Sequence, residues 1–225
     1  MLVCILDTET GGLDAKKHPL VEVGAVLWSM KDQTMIKCFS SLVHATSNEA
    51  EAVNGIPLSA LLRAPSAEAV KESLRKMCVT ADAIMAHNGS FDAQWLPEIV
   101  ALQKPWIDTC NDVEWPRAGA SRSLVSLCLD HGVGVSHAHR AITDCLLLVR
   151  LLERVSETHD LEILLLHAMR PKAVYEVAER DFSEERNAQA KAAGFRWEAS
   201  VKGWRRKMAT DDIGKLPFAV REVRA

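Results

Sequence analysis

The sequence predicts an α/β chain: a mixed five-stranded sheet flanked by helices, followed by a small α+β module. Three observations carry this expectation. Apolar runs at 2–7, 21–28 and 35–43 follow one another at short intervals, as antiparallel neighbours do. From residue 65 onward, helix-period segments alternate with short apolar runs, the pattern of strands with helices packed on them. After Pro171 the charge balance reverses. Residues 1–169 hold 14 Lys/Arg against 21 Asp/Glu, a balance of −7, and residues 170–225 hold 13 against 9, a balance of +4. An acidic body and a basic tail segment suggest two units with different jobs, at 1–160 and 172–225.

Each element has its own signal. Leu2-Val3-Cys4-Ile5-Leu6 is a fully apolar run, expected as a buried strand. Val21 to Trp28 and Met35 to Val43 are expected to pair beside it. Pro65-Ser66-Ala67-Glu68 starts a helix whose apolar positions are Val70, Leu74 and Met77-Cys78. Ala83 to Ala86 is a short strand ending at His87-Asn88-Gly89, with one helix expected over 91–102. Trp106-Ile107 is a further strand, and Ser123 to His131 a helix that Gly132 can stop. Ala141 to Val155 is the longest apolar helix. In the tail, 173–177 reads as a strand and 183–193 as a helix, and 195–197 with 203–207 as a hairpin.

Composition excludes several classes. The 48% hydrophobic fraction is enough for a packed core. Six scattered cysteines without a C-x-x-C pair fit reduced thiols in a cytoplasmic protein better than a disulfide frame or a zinc site. Met1 leads straight into a strand, so no signal peptide is expected, and no apolar run is long enough to cross a membrane.

The chemistry begins where the first strand ends. In Asp7-Thr8-Glu9 the two carboxylates stand at i and i+2 and share a face, just before the turn Thr10-Gly11-Gly12. Like charges that close repel unless a cation sits between them, and oxygen ligands of this kind suit Mg²⁺ or Mn²⁺. Asp92 follows a short buried strand, and strand ends are where open α/β sheets hold ligands. His139 and Asp144 are five residues apart, which is not an on-face helical spacing. The histidine is therefore expected in the connection and Asp144 in the first turn of the helix.

Asp7-Thr8-Glu9, Asn88 through Asp92, and His139 through Asp144 resemble the three exonuclease motifs of the DEDDh (DnaQ-like) 3′→5′ exonucleases, in the right order over roughly residues 1–157. The resemblance implies an RNase H-like fold and two-metal phosphodiester hydrolysis. Asp7, Glu9, Asp92 and Asp144 would hold two Mg²⁺ ions about 4 Å apart, with Mn²⁺ as substitute. His139 would take the proton of the attacking water, since an imidazole can exchange protons near neutral pH. His131 and His137 lie close by but lack the family spacing to Asp144. Thr10, Gly11, Leu13, Asn88 and Phe91 would lie where the terminal nucleotide is gripped. Leu13 is either a wedge against the base or a core residue, and Asn88 orients the site rather than ligating metal. Gly11 departs from the pattern, since many members carry a threonine there. Asp108 is expected to be a turn or capping carboxylate.

The implied substrate is a nucleic acid, with a single-stranded or frayed DNA 3′ end first and RNA second. Replication or repair proteins are the expected partners, and no membrane. A non-catalytic adaptor is the reading from another class, and the complete set of acids argues against it. In the tail, Ala190 to Trp197 followed by Lys202-Gly203-Trp204 is similar to a small K-x-x-G-x-x-W…W module found beside some DNA-processing domains. Its interleaved basic and aromatic residues could track phosphates and stack bases.

Overall fold

Strand β1 (Leu2–Thr10) is the axis of the first sheet. A computed structural model describes residues 1–119, 121–136, 139–179 and 183–223. The chain divides into two compact units, residues 1–169 and 170–225.

In the first unit β1 pairs antiparallel with β2 (Leu20–Ser29), which pairs antiparallel with β3 (Thr34–Leu42). On its other side β1 pairs in parallel with β4 (Ala83–Ala86), and β4 with β5 (Trp106–Asp108). The order β3-β2-β1-β4-β5 makes a mixed sheet of five strands, as the sequence pattern predicts. Strand alternation divides β1 between two cores. Val3 and Ile5 face one cluster with Trp28, Leu148 and Leu152. Cys4 and Leu6 face the other with Leu74, Met77 and Ile99.

Helices complete both layers. After two single turns, α1 (Glu51–Asn54) and α2 (Leu58–Leu61), α3 (Ala67–Thr80) buries Val70, Leu74, Met77 and Cys78. Ser66 caps it by accepting from the Ala69 N–H, which satisfies a donor that the helix itself cannot. On the opposite face α6 (Leu124–Asp130) and α7 (Ala141–Ser156) pack together, and α7 lies against β1 and β2. Its stripe Ala141, Cys145, Leu148, Leu152 and Val155 is buried at helical spacing. Each fully buried leucine there contributes roughly 1.5–3 kcal/mol.

Several segments differ from expectation. The single helix over 91–102 is broken into α4 (Gly89–Asp92) and α5 (Pro97–Val100). Leu96 precedes a proline and sits at φ −122°, ψ 50°, because the Pro97 ring disfavours helical backbone before it. An additional helix, α8 (Leu161–Ala168), packs on α7 and β5 and carries the first unit to Met169, beyond the expected end at residue 160.

The second unit is a four-stranded antiparallel sheet in the order β7-β8-β6-β9. Its strands are β6 (Lys172–Val177), β7 (Arg196–Glu198), β8 (Gly203–Ala209) and β9 (Val220–Val223), the last absent from the sequence reading. Helix α9 (Glu184–Ala192) lies between β6 and β7 in the chain, and Ala190, Tyr175, Phe195, Met208 and Phe218 form the unit's core. A 3₁₀ turn at Thr210–Lys215 joins β8 to β9. No helix among the described residues is long and apolar enough to cross a membrane.

Candidate active site

Asp7 and Glu9 continue the Val3–Ile5 alternation, so both face α7. What brings α7 close is Gly24, the partner of Asp7 in the β1–β2 register. A Cβ at Gly24 would overlap the backbone of Ala141 and Ile142. Only the bare backbone of glycine lets the first turn of the helix rest on the strand. Asp144, one turn in, then meets the pair. One carboxylate oxygen each from Asp7, Glu9 and Asp144 lies within 4.8 Å of the other two.

The fourth acid is held separately. Asp92, in α4 after β4, is buried and accepts a hydrogen bond from Thr8 Oγ1 at 2.7 Å. Thr8 stands between Asp7 and Glu9 in sequence and points to the other face of β1, so one strand end serves both sides of the cluster. The structure thus brings Asp7, Glu9 and Asp144 into one group and sets Asp92 beside it, close enough that its charge repels that of Asp7.

Charge crowding shows in the acids themselves. Burial, then Asp92, Asp144 and Glu9, push the Asp7 carboxyl well above the ordinary range. Glu9 is raised to about 8 by burial, then by Asp144 and Glu22, with Arg140 opposing. Asp92 is raised to about 7 by burial, against the lowering effect of the Thr8 hydroxyl. Asp144 is raised by burial and eased by the backbone and charge of His139. None of the grouped acids is in an ion pair among the described residues, and Asp144 Oδ1 is buried without a hydrogen-bond partner. Three convergent carboxylates, mutually repelling and with one oxygen of Asp144 unsatisfied, fit a divalent cation.

His139 stands where the spacing expects it, in the connection ahead of α7. It is exposed and holds φ 63°, a left-handed conformation uncommon outside glycine. Such strain persists only where the surroundings impose it, and it concentrates at functional sites. The backbone just after His139 is held by Glu22, a residue that sequence reasoning passed over. Glu22 is 1% exposed and sits opposite Glu9 in the β1–β2 register. It accepts from Arg140 Nη2 at 2.7 Å and Nε at 3.0 Å, and from the Ala141 N–H at 3.0 Å. A bidentate arginine and a helix N-terminus on one carboxylate fix the residue next to His139. A lone acid inside the apolar run 20–28 was the available signal.

The other sequence-derived residues have local contacts of their own. Thr10 is buried, its Oγ1 donating to the Gly12 carbonyl at 2.7 Å. A Cβ on Gly11 would come within 2.8 Å of the Pro19 ring, so the threonine common at this place cannot fit without moving Pro19. Leu13 is 82% exposed, which removes the core alternative. Asn88 adopts φ 69° at the start of α4, and Phe91 packs on Trp95 with ring centroids 4.7 Å apart. Asp108 closes that corner by accepting from the N–H groups of Asn88, Cys110 and Asn111. His131 is buried, with Nδ1 on the Leu127 carbonyl, and His137 lies outside the described residues.

Residues 4–152 match the family model described as Exonuclease (RNase_T). The chain belongs to the Exonuclease family. Residues 181–223 match a separate domain of unknown function, DUF8626. The DNA polymerase III subunit epsilon of Treponema pallidum is 29% identical over 166 residues, 68% of this chain and 75% of that protein. A PolC-type DNA polymerase III of Thermotoga petrophila is 28% identical over 149 residues, 62% of this chain but only 11% of that protein. Among solved structures, exonuclease X in complex with 5′-overhanging duplex DNA superposes with a TM-score of 0.59 at 28% identity, covering 74% of this chain and 99% of that one. The zinc-bound E. coli exonuclease I–single-stranded DNA complex gives 0.62 at 14% identity over 84% of this chain and 49% of that one, a likeness of fold. The first unit is accordingly a DnaQ-like exonuclease domain with an RNase H-like fold.

Proposed function

We propose that the chain is a divalent-metal-dependent exonuclease that removes nucleoside 5′-monophosphates from the 3′ end of DNA, single-stranded or frayed. The observation that carries this reading is the meeting of Asp7, Glu9 and Asp144, with a buried unpartnered oxygen, beside a histidine held in a left-handed connection.

Asp7, Glu9 and Asp144, with Asp92 alongside, would hold Mg²⁺, and four carboxylates offer donors enough for two ions. Such an ion supplies Lewis-acid stabilisation to the phosphoryl and leaving 3′ oxygens. The chain's own residues do the rest. Thr8 keeps the Asp92 carboxylate oriented through its hydroxyl. The Glu22–Arg140 clamp fixes the backbone beside His139. His139, exposed on its connection, can meet a water and accept its proton as that water attacks phosphorus. Thr10, Leu13, Asn88 and Phe91 would position the terminal nucleotide, with Leu13 reaching into solvent as a wedge against the last base.

DNA is favoured over RNA by the relatives above: the epsilon subunit belongs to a DNA polymerase, and the exonuclease X structure holds duplex DNA. Replication or repair proteins are the partners that follow. All six cysteines are free thiols, which supports a reducing compartment such as the cytoplasm.

The test uses DNA and RNA oligonucleotides of matched sequence, labelled at the 5′ end, with Mg²⁺ or EDTA. A ladder shortening from the 3′ end, unlabelled mononucleotides identified by chromatography and silence in EDTA are expected, with DNA degraded faster. Internal cleavage, shortening from the 5′ end or full activity in EDTA would overturn the reading. Faster loss of the RNA would move the substrate to RNA.

A further inference from the structure

The sheet of residues 170–225 has two unlike faces. One carries α9 and the apolar core, and Trp204 and Arg206 of β8 turn toward it, bonding Asn187 Oδ1 and the Ala193 carbonyl. Strand alternation puts Arg205 and Lys207 on the other face, together with Arg196 of β7, Glu176 of β6 and Arg221 of β9. The pleat therefore separates what the sequence interleaves. Phe195 is buried in the core, and Trp197 packs edge-on against Trp204 on the helix side. Arg196, Arg205, Lys207 and Arg221 stand on the helix-free face.

That face has more positive charge than it can neutralise. Its acids are already engaged. Glu176 takes Arg205 at 3.0 Å and Arg221 at 2.7 Å, and Glu198 takes Arg205 at 3.2 Å. Gly203 leaves room for this, since a Cβ there would lie 3.2 Å from the Glu176 carboxyl carbon. Arg196 and Lys207 remain exposed, with no acidic partner among the described residues. Arg196 is also the direct cross-strand partner of Arg205. Like charges in that register oppose folding, so an external anion would relieve a cost that the fold now bears.

We propose that this helix-free face binds the phosphodiester backbone of a nucleic-acid strand, the strand whose end the exonuclease domain trims; the inference rests on the function proposed above. Charge complementarity names the occupant. The first unit carries a net −7 and the second a net +4, with Arg196, Arg205, Lys207 and Arg221 on one face of the second unit's sheet. Guanidinium and ammonium groups on a sheet meet phosphates rather than base edges, so the contact is indifferent to sequence and to sugar.

The full chain, in EDTA so that no hydrolysis occurs, is titrated against a fluorescent single-stranded oligonucleotide across a range of salt. Arg196→Ala/Lys207→Ala should bind more weakly, with a log–log salt slope shallower by about 1.4, or about 0.7 per lost contact. Arg196→Lys should restore its share, and Trp197→Ala should leave the slope unchanged. DNA and RNA strands should behave alike. An unchanged slope in the folded double variant, loss of affinity on Trp197→Ala alone, or a preference for anionic phospholipid vesicles over the oligonucleotide would overturn the proposal. Because binding is read without catalysis, an inactive enzyme would overturn the proposed activity and leave this result standing.

Discussion

Removing the divalent ion should make the exonuclease domain less stable as pH rises, and adding it should erase that trend. Glu9 goes from an ordinary 4.5 to about 8 in the folded protein, and Asp92 from 3.8 to about 7. Between those limits the folded state keeps protons that the unfolded chain has lost. The unfolded chain therefore binds fewer protons, and stability falls with pH across the window. Each group could contribute up to about 1.4 kcal/mol per pH unit. Glu9 is only partly buried, so solvent screening and relaxation cut this, and roughly 2 kcal/mol between pH 5.5 and 8.5 is a working figure for the cluster. For a chain of this size that is a fall in Tm of about 4–8 °C in EDTA. Mg²⁺ at a hundred times its Kd should return about 2.7 kcal/mol at pH 8.5. It should return less at pH 5.5, where protons compete for the same oxygens. Asp7→Asn should raise the metal-free Tm at pH 8.5 and lose most of the Mg²⁺ increment. Thermal scans followed by tryptophan fluorescence measure all of this. Metal-free stability that rises from pH 5.5 to 8.5, or equal Mg²⁺ increments in wild type and Asp7→Asn, would refute the shared-site reasoning.

Asp144→Ala should abolish mononucleotide release while circular dichroism stays native; normal release would remove Asp144 from the site. His139→Ala should lower kcat by roughly 10²–10⁴-fold with the Mg²⁺-induced rise in Tm retained, and loss of that rise would mark the histidine as a ligand instead. Asp108→Ala should cost about 1–2 kcal/mol of stability through the orphaned N–H groups of Asn88, Cys110 and Asn111, visible as a lower urea midpoint. Gly24→Ala should push the start of α7 off β2 and sever the Asp7–Glu9–Asp144 group, so both activity and the Mg²⁺ increment should fall together.

The parts of the fold that were legible are those written in local pattern. The apolar run of β1, the alternation that puts Asp7 and Glu9 on one face, and the stripe of α7 need no distant partner to be read. The illegible parts depend on such partners or are too short. Val220–Val223 has four residues and becomes a strand only because β6 offers an edge. Helix α8 is apolar nearly all round, and such a run carries no period to separate helix from strand. The break between α4 and α5 is signalled by Pro97, whose ring disfavours helical backbone at Leu96.

Asp7, Glu9, Asp92 and Asp144 can be singled out in the sequence, but the way they are held cannot. Helix α7 has no side-chain cap of its own, because Arg140 occupies the N-cap position. The missing acceptor comes from Glu22, 119 residues earlier in the chain, which takes the Ala141 N–H as well as the Arg140 guanidinium. Two residues on, Gly24 admits the helix backbone. Thus β2, which contributes no member of the expected acid set, decides where Asp144 stands relative to Asp7 and Glu9. It does so at an electrostatic cost, since Glu22 adds a further negative charge beside Glu9, and Arg140 offsets only part of it. A buried acid that raises the energy of an already crowded site is hard to explain as packing. It is accounted for if the position of α7, and with it the connection bearing His139, is what that strand has to deliver.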